Sequence, residues 1–218
     1  MSNNGSKGTV LVTGGTRRIG KAISEALRRA GWSVLTSSHD PASGADFICD
    51  LSEPSGAVKL YADALAAAPE DFRAIVNNAA LFRGEPSVLE AVNLVSPRKL
   101  TMLLGGREGV KCSVVNILDS KTLGPPCPDD SAYVKTKRAL FADTRKFAAM
   151  FADTLRVNAV APGPVLPPEG IHEPAGEMLL DRRPTPEDVA SAVVYLLEAE
   201  SVTGTVIPVD SGQHLQMQ

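Results

Sequence analysis

One junction near the start of the chain constrains its fold more than any other feature. A short β-branched run, Thr9 to Thr13 (TVLVT), passes through Thr13-Gly14-Gly15-Thr16-Arg17-Arg18-Ile19-Gly20 into a stretch with helical periodicity. Between Arg18 and Ala30, residues Ile19, Ala22, Ile23, Ala26 and Leu27 fall on one stripe, and Gly31 stops the helix as a C′ residue. A strand that enters a helix through glycines lets backbone N–H groups and the positive end of the helix dipole approach a phosphate closely. Arg17 and Arg18 strengthen that reading, because guanidinium is the preferred side-chain partner of phosphate oxygens.

The same alternation of short apolar runs and longer amphipathic ones continues to the end of the chain. Strands are predicted at Ser33–Ser37, Ala45–Cys49, Arg73–Asn77, Ser113–Leu118, Leu155–Val160 and Thr205–Val209. Helices are predicted at Ser55–Ala68, Val88–Leu104, Ala132–Phe151 and Thr185–Glu198, the last with Thr185 as cap and Pro186 at its first position. Pro97 should bend the third helix or mark an early turn. The pattern specifies an α/β fold, a single Rossmann-like doubly wound parallel sheet of about seven strands with helices on both faces. One domain over residues 9–218 is expected, after a small, polar lead-in at 1–8. The link from Asp40 to Gly44 is too short for a helix between the second and third strands.

Composition excludes several classes. A formal net charge of −3 gives no reason to expect nucleic acid or an anionic membrane as partner. No apolar run is long enough to span a bilayer, and residues 1–8 lack the blocks of a signal peptide. Three scattered cysteines suit a reducing compartment, so a cytoplasmic location is expected. No His/Cys cluster has metal-ligand spacing.

The end of the second strand bears on the cofactor. An enzyme using NAD usually places an acid there for the ribose 2′-hydroxyl. This chain has Thr36-Ser37-Ser38-His39, with Asp40 just beyond. Hydroxyls with Arg17 nearby suit a 2′-phosphate, so NADP(H) is the expected cofactor, held by Gly14, Arg17, Arg18, Ile19, Gly20, Ser38 and His39.

Tyr133 and Lys137 are spaced i, i+4 and share one face of the longest predicted helix. An ammonium beside a phenol lowers the tyrosine pKa and makes it a usable acid/base.

With these pieces in place, the chain resembles the short-chain dehydrogenase/reductase family from Thr13 to Leu215. Asn77-Asn78-Ala79-Ala80, Asn93, Pro162-Gly163 and Val209-Asp210-Ser211-Gly212 carry the likeness together with the glycine turn and the Tyr/Lys pair. The resemblance implies that Tyr133 is the acid/base and that Lys137 holds the nicotinamide ribose and tunes it. Asn93 would support a proton-relay water. Asp50 and Leu51 would match the adenine pocket; Asn78, Ala79 and Ala80 would line the cofactor; Pro162, Gly163 and Val165 would flank the nicotinamide. It also implies a substrate lid over Pro162–Arg183 and a homo-oligomer, tetramer or dimer, paired through Val88–Leu104 and Ala132–Phe151.

Two departures narrow the substrate. Arg18 stands where most of the family has glycine or alanine. Where the family has a catalytic serine, strand register from Asn116 puts Asp119, whereas counting back from Tyr133 puts Ser120. Adjacent strand residues face opposite ways, and the strand register favours Asp119. Arg18 with Asp119 and the aromatic Phe82 is similar to the pattern of pteridine reductases and bacterial dihydromonapterin reductases. A flat pterin needs a stacking ring, a donor for its carbonyl and a carboxylate for its amino and ring nitrogens. The set Arg18, Phe82, Asp119 and Tyr133 would supply these. The alternatives are a keto or aldehyde reductase using Ser120 with Tyr133 and Lys137, or a non-catalytic NADP(H)-binding protein.

Overall fold

The computed structural model describes residues 7–167 and 178–216. Seven strands form a single all-parallel sheet: β1 (Thr9–Thr13), β2 (Ser33–Ser38), β3 (Phe47–Ile48), β4 (Phe72–Asn77), β5 (Cys112–Ile117), β6 (Leu155–Pro162) and β7 (Val206–Val209). Their spatial order is β3-β2-β1-β4-β5-β6-β7. The chain therefore reverses direction across the sheet between β1 and β4, leaving a crevice beyond their carboxyl ends. Open α/β sheets bind ligands at such a switch point.

Helices cover both faces, as a sheet of near-continuous apolar strands requires. On one side α1 (Arg18–Arg29) and α6 (Pro186–Glu198) pack over Val10, Val12, Val76, Val115 and Val160. On the other, α2 (Gly56–Ala67), α4 (Ser96–Gly105) and α5 (Ala132–Met150) cover Leu11, Ile75, Val114 and Val157. Every one of these strand side chains is fully buried. At roughly 25 cal/mol per Å² of apolar surface, they are the main source of stability.

Local details differ from the sequence reading where side chains outcompete the pattern. The third strand pairs only at Phe47–Ile48, since the Asp46 carboxylate accepts both the N–H (2.7 Å) and the hydroxyl (2.8 Å) of Thr36 in place of ladder bonds. A single 3₁₀ turn, Pro41–Ser43, joins β2 to β3, so the expected absence of a helix holds. β6 runs on to Pro162, which pairs with Val209, and Pro162 and Gly163 therefore leave the sheet together. Thr185 caps α6 through a capping box with Asp188.

Pro97 marks an early turn, the first turn of α4, and the third predicted helix is interrupted by a π segment just before it. That helix starts earlier, at Pro86, and winds as α3 (Pro86–Glu90), a π segment (Ala91–Val95) and α4. Proline has no N–H to offer the carbonyl four residues back, and Pro97 sits in the first turn of α4 directly after the wider coil. Such single π turns often mark functional sites, and this one contains Asn93. Part of the expected lid, residues 168–177, lies outside the described residues, as do residues 1–6 of the lead-in.

Candidate active site

A cavity of about 750 Å³ opens at the carboxyl end of the sheet between the glycine turn, the ends of β2, β4 and β5, and α5. With the exception of Asn93, the cofactor, substrate and catalytic residues expected from sequence line it.

The glycine turn is shaped by backbone contacts that leave no room for side chains. Gly14 has φ +62°. A Cβ on Gly20 would lie 2.0 Å from the Gly14 carbonyl oxygen and 2.6 Å from the Asn78 amide nitrogen. Asn78 ties this turn to the end of β4, donating from Nδ2 to the carbonyls of Thr13 (2.9 Å) and Gly14 (3.1 Å). Thr13 returns the contact, its hydroxyl accepting the N–H groups of Asn78 and Ala79, each at 3.0 Å. Arg18 is one of two non-glycine residues with positive φ among those described, at +51°, and its guanidinium donates to the Pro167 carbonyl at 2.6 Å across the cavity. A left-handed arginine is held at a cost, and such strain clusters where ligands bind.

The end of β2 presents Ser37, Ser38 and His39 to the cavity, with Arg17 in the same wall. Asp40 does not reach it: its carboxylate accepts the Ala42 N–H at 2.9 Å and caps the 3₁₀ turn. Asp50 and Leu51 line the same end, just beyond β3, with Asp50 Oδ1 accepting the N–H and hydroxyl of Ser52.

Around α5 the chemistry changes. Ser131 caps the helix by accepting the Val134 N–H, which sets Tyr133 in its first turn. Tyr133 donates its hydroxyl to Asp119 Oδ2 at 3.1 Å, while Asp119 Oδ1 accepts the Lys121 N–H at 2.9 Å. Asp119 thus both caps the 3₁₀ turn Ser120–Thr122 and touches the phenol. Ser120 also lines the cavity, but its buried hydroxyl is directed to Gln213 Oε1 at 3.4 Å. Phe82 meets Tyr133 edge-on, ring centroids 4.9 Å apart, and is 47% exposed, so it is no core residue.

Lys137 is 2% exposed and donates from Nζ to the Ile117 carbonyl at 2.7 Å. Burial pulls this ammonium down to about 8, with Asp119 pulling the other way. Here the structure corrects the expectation drawn from spacing. Burial, reinforced by the adjacent Asp119 carboxylate, holds the Tyr133 phenol well above its ordinary range, where a lysine partner was expected to lower it. The ammonium is engaged by a carbonyl at the end of β5, and the phenol's hydrogen-bond partner is an anion.

Asn93 does not line the cavity. Fully buried and outside the cavity wall, it accepts the Leu81 N–H (2.8 Å) and donates to the Leu81 carbonyl (2.8 Å) and to Thr136 Oγ1 (3.4 Å). Its amide pins the loop that carries Ala79, Ala80 and Phe82.

Lys121, Leu166, Arg183 and Gln213 also line the cavity and were missed in sequence. Gln213 directly follows the Val209–Gly212 signature, a placement that could have flagged it. Arg183 carries no local pattern at all. The loop between Asp119 and Tyr133 is fastened by Arg138, which pairs with Asp130 (2.6 Å) and donates to the carbonyls of Thr122, Gly124 and Pro125. Among the described residues no metal-binding cluster occurs and no helix is long and apolar enough to cross a membrane.

A doubly wound parallel sheet with a glycine turn at its switch point, facing a Tyr-x-x-x-Lys helix, defines a dinucleotide-dependent oxidoreductase. The chain belongs to the short-chain dehydrogenase/reductase family, residues 14–214 matching a family model described as enoyl-(acyl carrier protein) reductase. It is similar to the FolM alternative dihydrofolate reductase 1 of Brucella canis, solved in complex with NADP: 33% identity, TM-score 0.82, covering 95% of this chain and 94% of that one. It is also 29% identical to the dihydromonapterin reductase of Shigella sonnei over 95% of this chain and 97% of the relative. The protein FixR of Bradyrhizobium diazoefficiens is 28% identical over 98% of this chain and 89% of its own length.

Proposed function

We propose that the protein is an NADPH-dependent pteridine reductase. The observation that carries this reading is the Asp119 carboxylate on the Tyr133 hydroxyl beside the half-exposed Phe82 ring. A flat heteroaromatic ring finds there a stacking partner, a proton donor and an anion for its amino and ring N–H groups. The relatives named for dihydromonapterin and dihydrofolate reduction point the same way.

The residues present fit NADP(H). Gly14 and Gly20 leave the turn bare, and Ser37, Ser38, His39 and Arg17 stand where a 2′-phosphate needs hydroxyls and positive charge. No carboxylate from the end of β2 opposes it, since Asp40 is spent on its own turn. When bound, NADPH supplies the hydride that reduces a C=N carbon of the dihydropterin.

The chain's own contribution is the proton. Tyr133, held protonated by its surroundings, passes its hydroxyl proton to the ring nitrogen next to the reduced carbon, and Asp119 then faces a phenolate. The buried Lys137 ammonium, lying 5.9 Å from the Tyr133 ring centroid, offsets that new negative charge. A keto-reductase reading through Ser120 has less support, because that hydroxyl is turned to Gln213. The test is NADPH oxidation with dihydromonapterin, dihydrobiopterin and dihydrofolate. Turnover of at least one is expected, and inertness toward all three, with turnover of simple ketones, would replace this reading by the carbonyl one.

A further inference from the structure

Once the turn, the end of β2 and Asp50 are given to a dinucleotide, and Phe82, Asp119 and Tyr133 to a ring, two cations of the cavity wall are left without a charged partner among the described residues. They are Lys121 and Arg183. The Arg183 Nε donates to the Pro164 carbonyl, and its two terminal nitrogens make no bond or ion pair among the described residues. Among the described residues the Lys121 ammonium makes no hydrogen bond or ion pair; its backbone N–H donates to Asp119.

One continuous wall joins these two residues. Lys121 follows Ser120, whose hydroxyl reaches Gln213. Gln213 N–H bonds the Asp210 carbonyl at 3.1 Å, and Asp210 packs so tightly on Gly163 that a Cβ there would lie 2.7 Å from it. Gly163 leads into Pro164, the residue that Arg183 grips. Both cations therefore line the cavity wall that also carries Gly163 and Pro164.

We infer that Arg183, assisted by Lys121, binds an anionic substituent carried by the substrate away from its reacting ring, and so sets the preference among pterins. The inference rests on the pteridine reading for the ring, whereas the anion site rests on the cations alone. A guanidinium positioned through Nε keeps a two-pronged edge free, the geometry suited to a carboxylate or phosphate ester. Lys121 is more exposed and adds less, because solvent screens it.

The experiment measures kcat/KM for dihydrofolate, whose glutamate carries carboxylates, for dihydroneopterin phosphate, and for the uncharged-tail dihydrobiopterin. Arg183→Met is expected to lower the ratio for the anionic substrate over dihydrobiopterin about tenfold, one charged hydrogen-bonded pair's worth. Lys121→Met should lower it less, and Arg183→Lys should recover part of the loss, which a purely structural role at Pro164 would not produce. The arm that responds, carboxylate or phosphate, identifies the anion. A ratio unmoved by either neutral substitution overturns the inference. If no pterin is turned over, binding of p-aminobenzoylglutamate measured by calorimetry decides instead. Weakening by Arg183→Met would then leave the anion site standing while the pteridine reading falls, and indifference to the substitution would remove the site as well.

Discussion

The Tyr133 hydroxyl donates to the Asp119 carboxylate at 3.1 Å, although spacing alone points to the lysine one helical turn on. Burial, reinforced by this anion, raises the phenol's pKa further above neutrality, so Tyr133 carries its proton, the state a proton donor must occupy before hydride arrives. Asp119→Asn removes the charge that holds the phenol up, so the phenol's ionisation should move to lower pH. We expect kcat/KM with a pterin to fall roughly ten- to a hundredfold, because the charged acceptor for its amino and ring N–H groups is lost. Tyr133→Phe should cost at least as much while leaving cofactor binding intact. Turnover by Tyr133→Phe near the native level would remove Tyr133 from the chemistry.

Lys137 makes the pH dependence testable in two ways. Its pKa of about 8 lies below the unfolded value near 10.4, so the unfolded chain binds more protons between those limits. The burden of burying this ammonium is therefore full below pH 8 and relieved as pH rises from there toward 10. Relative to Lys137→Met, the wild type should gain unfolding free energy across pH 8–10 in urea titrations. Activity should move oppositely, declining above pH 8 as the ammonium discharges. A stability difference that is flat over this range would contradict the depressed pKa.

Arg18 invites a comparison of glycine with alanine. Both substitutions remove the bond to Pro167, but only glycine is at ease at φ +51°. Arg18→Gly should unfold about 1 kcal/mol later than Arg18→Ala, the scale of left-handed strain at a residue bearing a Cβ. Both should raise KM for cofactor or pterin. Equal stabilities would mean that position 18 is not held in the left-handed region.

Asn93→Ala should act through structure. It leaves the Leu81 N–H and carbonyl without their partner, a loss of about 2 kcal/mol for buried polar groups. Because Phe82 rides on the same loop, KM for a pterin should rise more than kcat falls. Loss confined to kcat, with stability unchanged, would restore the proton-relay role the family likeness suggested.

The sheet was legible because strand and helix periods differ, and the glycine turn because Gly14 and Gly20 face backbone that admits no side chain. Asp119 was singled out from the register at Asn116, but β5 ends at Ile117 and both Asp119 and Ser120 line the cavity, so strand alternation does not separate the two. What could not be read were relations between distant segments. Nothing near Tyr133 in sequence announces that Lys137 will bond the Ile117 carbonyl. Nor does any local pattern bring Arg183, far along the chain, into the same wall.

The wide coil at Ala91–Val95 works as a phase adjuster. One additional residue in a turn rotates everything downstream by about 100° relative to a regular helix. Upstream, Leu89 seats in the interior; within the coil, Asn93 grips Leu81; downstream, Leu100 and Leu104 face the sheet. A regular helix of this sequence could not satisfy the loop and the sheet together. Shortening the coil by one residue would leave the helix intact and its two halves out of step, so that the ring at Phe82 or the core beneath α4 would have to give way.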